Sequence, residues 1–295
     1  MALDAIAIGK QKAADVAARR AASRTKRAQV LAAHRNRVTI NVSISTAGYL
    51  VAAGDSWFDY PIHDVLTMLE ENYGYNVESS AHAGDAIESM AYQAGQLDKF
   101  AQCLDKVLAL GVKPKAALLS GGGDDIAGTE FGMLLNNATS PIAGWNTEIV
   151  DGVINQRIAE AYRVMVAAID SLCESRGLKD LPIVVHGYDY PVPDGRGFLG
   201  GWWFLPGPWL KPGFNEKLFE DTPTNSAMMK QIIDQFNAMS AKLPAEFANV
   251  HFVDLRGTLS NSPANYTDWW ANELHPTEQG FTAVAAKFAT VLETL

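Results

Sequence analysis

Ser56 and His275 are the side chains of this 295-residue sequence whose types and settings suit joint chemistry. Ser56 lies in Gly54-Asp55-Ser56-Trp57, after the apolar run Tyr49-Leu50-Val51-Ala52-Ala53 and before the turn-like Asp59-Tyr60-Pro61. A serine leaving a parallel strand at a helix start stands in the crevice where such sheets bind ligands. Unpaired N–H groups there favour negative charge. A hydroxyl needs a base to accept its proton, and the base needs a third group to hold its tautomer. Of the six histidines, His275 has the clearest setting for that task. It sits in Asn272-Glu273-Leu274-His275-Pro276-Thr277, a polar loop following Asp268-Trp269-Trp270. Thr277 can cap a helix whose apolar face is Phe281, Val284, Ala285, Phe288 and Leu292. Such a pair performs acyl transfer: serine attacks a carbonyl, and imidazole carries the proton to the leaving group.

Four short blocks, in order, resemble the SGNH (GDSL-type) hydrolase family. Gly54-Asp55-Ser56 looks like its nucleophile block. Ala83-Gly84-Asp85 looks like the second block, whose glycine N–H serves the oxyanion hole. Ser120-Gly121-Gly122-Gly123-Asp124-Asp125-Ile126 looks like the third, normally Gly-x-Asn-Asp. Asn272 to His275 looks like the last, normally Asp-x-x-His. The resemblance implies a serine esterase acting on small or short-acyl carboxylic esters without a cofactor or metal. Ser56, His275 and Asn272 would be catalytic, and Ser56, Gly84 and Asp124 would form the oxyanion hole.

Two positions depart from that pattern, as if Asp and Asn had been exchanged. An ionised Asp124 cannot donate a hydrogen bond to an oxyanion, whereas a protonated one can. Desolvation beside Asp125 would favour the protonated form. Losing one such donor costs roughly a hundred- to a thousandfold in rate. Asn272 can accept the Nδ1–H of His275, but it matches a carboxylate poorly in stabilising imidazolium. Glu273 and Asp268 are the nearby acids that could add charge, and Asn272 could equally cap the local turn.

The elements around these blocks alternate. Strands are expected at Leu50–Ala53, Tyr75–Ser79, Ala116–Ser120, Pro182–Gly187 and Val250–Leu255, with an extra extended segment at Val38–Ile44. Helices are expected from Val65, with Leu66 and Leu69 on its apolar side, to just before Gly74, and over Leu97–Leu110, Ile154–Cys173 and Ile232–Leu243. Alternation argues for a parallel sheet covered on both faces, a three-layer α/β/α sandwich that is doubly wound. The resemblance adds five strands in flavodoxin-like order 2-1-3-4-5. Residues 188–214 interrupt the alternation with three Trp, two Tyr and three Phe among many Gly and Pro. This loop follows the fourth strand and is read as an aromatic pocket wall, with Trp57, Tyr188, Trp202 and Trp203 as candidate pocket residues. A buried plug or a subunit contact is the other reading. Asp55 is expected to anchor its turn, Asp125 to hold its loop, and His186 to end a buried strand.

Charge is unevenly spread. Residues 1–37 carry nine Lys or Arg against two Asp, a local +7; the rest carries fifteen against thirty-one, −16. The domain reading is a basic Ala/Arg-rich helical extension at 1–37 and a catalytic domain at 38–295. An acidic body suits neutral or cationic small esters and not nucleic acid. The extension lacks the apolar core of a secretory signal, so a cytoplasmic location is expected. Its Arg-rich, acid-poor composition resembles a transit peptide, but the favoured reading is a surface helix packed on its own domain or on a neighbouring subunit in a homo-oligomer. No apolar run is long enough for a membrane span, and Cys103 and Cys173 do not make a disulfide framework. Other readings of the same residues are a carbohydrate acetylesterase, a thioesterase, a catalytically silent binding protein, and a metal-dependent hydrolase using Asp124, Asp125 and His275.

Overall fold

Continuous apolar runs build the centre of the sheet. Leu50–Ala53, Ala116–Leu119 and Ile183–Val185 are wholly buried, as strands covered on both faces must be. The computed structural model describes residues 4–18, 46–93, 95–128, 130–200 and 206–295. Its strands are β1 (Gly48–Ala53), β2 (Tyr75–Ser79), β3 (Pro114–Leu119), a two-residue hairpin of β4 (Leu135–Asn136) and β5 (Gly144–Trp145), then β6 (Ile183–His186) and β7 (Val250–Val253). Five of them form one parallel sheet in the order β2-β1-β3-β6-β7. That is the expected 2-1-3-4-5 order.

Residues 5–18 form α1. The later helices are α2 (Val65–Tyr73), α3 (Ile87–Tyr92), α4 (Gln96–Ala109), α5 (Thr147–Asp151), α6 (Ala159–Glu174), α7 (Lys211–Glu216), α8 (Thr222–Ser240), α9 (Leu243–Glu246), α10 (Tyr266–Trp269) and α11 (Glu278–Glu293). α2 packs on α11, while α3 and α4 pack on α6, giving helical layers on both faces of the sheet. α2 starts at Asp64, whose carboxylate accepts from Thr67 N at 2.7 Å, and stops at the left-handed Gly74. Thr277 caps α11 as its sequence suggests, accepting from Gly280 N at 3.2 Å.

Several boundaries differ from the sequence reading. The helix expected from Ile154 begins at Thr147 and passes through a π-helical stretch, Gly152–Ile158, before α6. The helix expected from Ile232 begins ten residues earlier, at Thr222, behind a capping Asp221. Its first turns are polar and expose no apolar stripe to read. Val38–Ile44 lies outside the described residues. α1 buries Ala5, Ala13 and Val16, and Gly9 meets the backbone of α6 where a Cβ would have no room. Its apolar face is thus covered by its own chain. No described helix is long and apolar enough to cross a membrane.

Candidate active site

The loops after β1, β2 and β3 leave the same end of the sheet. They bring Ser56, Gly84 and Asp124 to one cavity, and the loop before α11 adds His275. Gly54 makes the close approach possible: a Cβ there would stand 2.7 Å from the Ser120 side chain. The second loop is laid along the first by Ser80 N to Ala52 O and His82 N to Gly54 O, both 2.9 Å.

Ser56 Oγ lies 2.7 Å from His275 Nε2. The tautomer follows from the neighbours. Asn272 Oδ1 accepts from Leu274 N and His275 N, each at 2.9 Å, so that atom must be the amide oxygen. His275 Nδ1, 3.0 Å from the same oxygen, must then carry the proton. Nε2 is left bare toward the serine hydroxyl. Asn272 therefore caps the turn and orients the ring at once. Its Nδ2 donates to the Tyr60 hydroxyl at 3.0 Å. The Tyr60 ring stacks on the imidazole with centroids 4.2 Å apart and planes 19° from parallel. Burial of this neutral ring drives the His275 pKa down to about 3.

Neither acid considered as an assistant reaches His275. Glu273 is fully buried, and its carboxylate accepts from the N–H groups of Gly195, Trp209, Leu210 and Lys211 at 2.6–3.0 Å. It pins the aromatic loop to the histidine loop. Among the described residues, Asp268 accepts through its backbone carbonyl alone, from the Thr277 hydroxyl.

Gly84 adopts φ +88°, a conformation that favours glycine. Among the described residues, neither its N–H nor that of Ser56 has an acceptor. Asp124 is half-buried in the same wall. Burial, and then the carboxylates of Asp55, Asp125 and Asp85, push its pKa up to about 7. Asp125 holds the start of α3, accepting from Ile87 N at 2.7 Å and Glu88 N at 3.1 Å. Arg157, from the π-helical turn, donates to the Asp125 carbonyl at 3.0 Å. Among the described residues no three His, Cys, Asp or Glu side chains are grouped to hold a metal ion.

Asp55 anchors its turn, accepting from Trp57 N at 3.0 Å and the Ser120 hydroxyl at 2.6 Å, with Tyr188 donating to its other oxygen. His186 ends β6 fully buried, bonded to Ser120 Oγ at 2.8 Å. His82 pairs loosely with Asp85 and His63 with Glu278.

Two cavities flank Ser56. The larger, about 300 Å3, is walled by Tyr60, Pro61, Phe198, Pro206 and Trp209. The smaller, about 50 Å3, is lined by Trp57, Ile126, Tyr188, Met229, Ile233 and Phe236 among others. Trp57 and Tyr188 thus lie on the small cavity, while Trp202 and Trp203 fall outside the described residues. Trp209 belongs to the aromatic loop read as a pocket wall, although it is not among the four named pocket residues, and Tyr60 is not singled out by the sequence. Only the closeness of Asp59-Tyr60-Pro61 to Ser56 hints at Tyr60.

A model of the GDSL-like lipase/acylhydrolase family matches residues 43–283. Among solved structures, a possible lipase from Chitinophaga pinensis aligns over 84% of this chain and 98% of its own, at 12% identity and TM-score 0.47. A catalytic mutant of an acetylxylan esterase from Geobacillus stearothermophilus aligns over 85% and 96%, at 15% identity and TM-score 0.45. No curated protein matches. The family match spans all five strands of the sheet and both ends of the Ser56–His275 contact, so the chain belongs to the GDSL-like lipase/acylhydrolase family and is a carboxylic ester hydrolase.

Proposed function

We propose that the protein hydrolyses short-acyl carboxylic esters through an acyl-enzyme on Ser56. The observation that carries this reading is the 2.7 Å contact between Ser56 Oγ and the unprotonated Nε2 of His275. Oγ attacks the ester carbonyl carbon while its proton passes to Nε2, and the carbonyl electron pair moves to oxygen. The N–H groups of Ser56 and Gly84 receive that oxyanion, joined by Asp124 when its carboxyl is protonated. His275 then returns the proton to the departing alkoxide. Water repeats the sequence on the acyl-enzyme, with His275 as base, and frees Ser56.

Cavity size supports the short-acyl assignment. The small cavity holds about three or four non-hydrogen atoms, judged against the space one water needs. An acetyl or propionyl group fits there, leaving the wider aromatic-walled cavity for the alcohol. That wall suits a sugar ring as well as a simple alcohol, so acetylated sugars belong in the same substrate panel.

The test is a p-nitrophenyl ester series from acetate to octanoate. Acetate and propionate should turn over fastest, and Ser56→Ala should lose about 10⁴-fold or more in kcat. Undiminished hydrolysis by Ser56→Ala would overturn the nucleophile assignment. Failure of the wild type to react with a fluorophosphonate would favour a silent binding protein.

A further inference from the structure

The base of this site forms a cation in each transition state, yet no carboxylate accepts from its Nδ1. That place holds the Asn272 amide. One face of the imidazole is covered instead by Tyr60, 4.2 Å away and nearly parallel. The face of an aromatic ring is negative, and a cation within about 6 Å of its centroid is attracted to it, most strongly when water is excluded. His275 is 5% exposed, so the imidazole itself is shielded from water, while the half-buried Tyr60 closes one of its faces.

We propose that Tyr60 is a positioning residue that stabilises the His275 imidazolium through its ring face, the Asn272 amide being oriented by the N–H groups of Leu274 and His275. The inference rests on the Ser56–His275 mechanism above. Tyr60 is itself held rigidly: Phe198 meets its ring edge-on at 5.7 Å and Phe281 lies 5.9 Å away. Its phenol stays neutral, because burial raises its pKa. The other groups facing His275 are the Ser56 hydroxyl from the turn after β1, Trp209 at 5.6 Å from the aromatic loop, and Asp124 across the cavity. When Ser56 gives its proton to Nε2, positive charge spreads over a ring already lying on the tyrosine face. The stabilisation is small in the neutral ground state and grows as the proton transfers, so it should act on kcat more than on KM.

Phenylalanine and pentafluorophenylalanine at position 60 separate ring charge from packing. Both lack the hydroxyl and fill nearly the same space, but the fluorinated ring presents a positive face. Their kcat and KM for p-nitrophenyl acetate should be compared in the wild-type and Asn272→Asp backgrounds, with thermal melts confirming folding. Tyr60→Phe should keep kcat within about threefold. The fluorinated ring should lose about a further tenfold in kcat at little change in KM. With Asn272→Asp the gap between the two rings should shrink, because a carboxylate now stabilises the cation. Equal kcat for the two rings, or a gap unchanged by Asn272→Asp, would overturn the proposal. Ser56→Ala, assayed alongside, reports separately on the mechanism beneath it.

Discussion

Asp124 and Asn272 set the pH behaviour of the proposed site, and they do so in concert. Asp124 donates only when protonated, and its pKa of about 7 makes that donor disappear as pH rises through neutrality. His275 accepts a proton only when neutral, and its pKa of about 3 keeps it neutral far into acid. Activity should therefore be highest on the acid side of neutrality. In Asp124→Asn the alkaline fall should vanish. At pH 8 kcat should exceed wild type by about tenfold or more, against the hundred- to thousandfold worth of a full oxyanion donor. A pH–rate profile of both proteins checks this, and a large loss at pH 8 would refute the protonated-donor role. Asn272→Asp should raise the His275 pKa, so activity in acid is lost at a higher pH than in wild type. The new oxygen can accept from Tyr60, whose hydroxyl need only rotate from acceptor to donor. A profile whose acid limb stays in place would contradict this.

At the scale of elements, Glu273 joins two loops that are far apart in sequence. The histidine loop and the aromatic loop meet through four N–H bonds to one buried carboxylate. Glu273→Ala should leave those donors without an acceptor, each costing about 1–3 kcal/mol unless water enters. Melting temperature should drop by several degrees. KM for long alcohol esters should rise as Trp209 leaves the cavity wall, and proteolysis should become faster near residues 195–211. An unchanged melting curve would refute the pinning role. In sequence, Glu273 reads as an acid near a histidine, and nothing local reveals that its oxygens face a loop 62 to 78 residues earlier. α3 was missed for the same reason, since its capping carboxylate, Asp125, comes from the loop after β3. Where a local cap is followed at once by an apolar stripe, as at Asp64 and Thr277, the helix start is legible; Asp221 caps locally too, but the polar turns behind it hide that start.

Across the whole molecule, the same two groups tilt stability in opposite directions. Asp124 has a folded pKa above its ordinary value. Its contribution is present below about pH 4 and is lost as pH rises toward 7. His275 has a folded pKa below its ordinary value. Its contribution is present above about pH 6.5 and is lost as pH falls toward 3. Asp124→Asn removes only the first loss. Its melting temperature relative to wild type should rise between about pH 4 and pH 7 and then level off, a few degrees higher at the alkaline end. A difference that does not vary with pH would show that Asp124 is not buried as a neutral acid.

The sequence alone determined the parallel sheet, because its central strands are short apolar runs alternating with amphipathic helices. It also determined which hydroxyl and which imidazole would meet, since strand-end and helix-start signals are local in the chain. The tautomer of His275, the ring over its face, the four donors around Glu273 and the carboxylates crowding Asp124 come from residues distant in sequence. Those depend on distances of a few ångströms across the fold. Hydrogen bonding, stacking and desolvation act over that range, so only the tertiary structure could decide them.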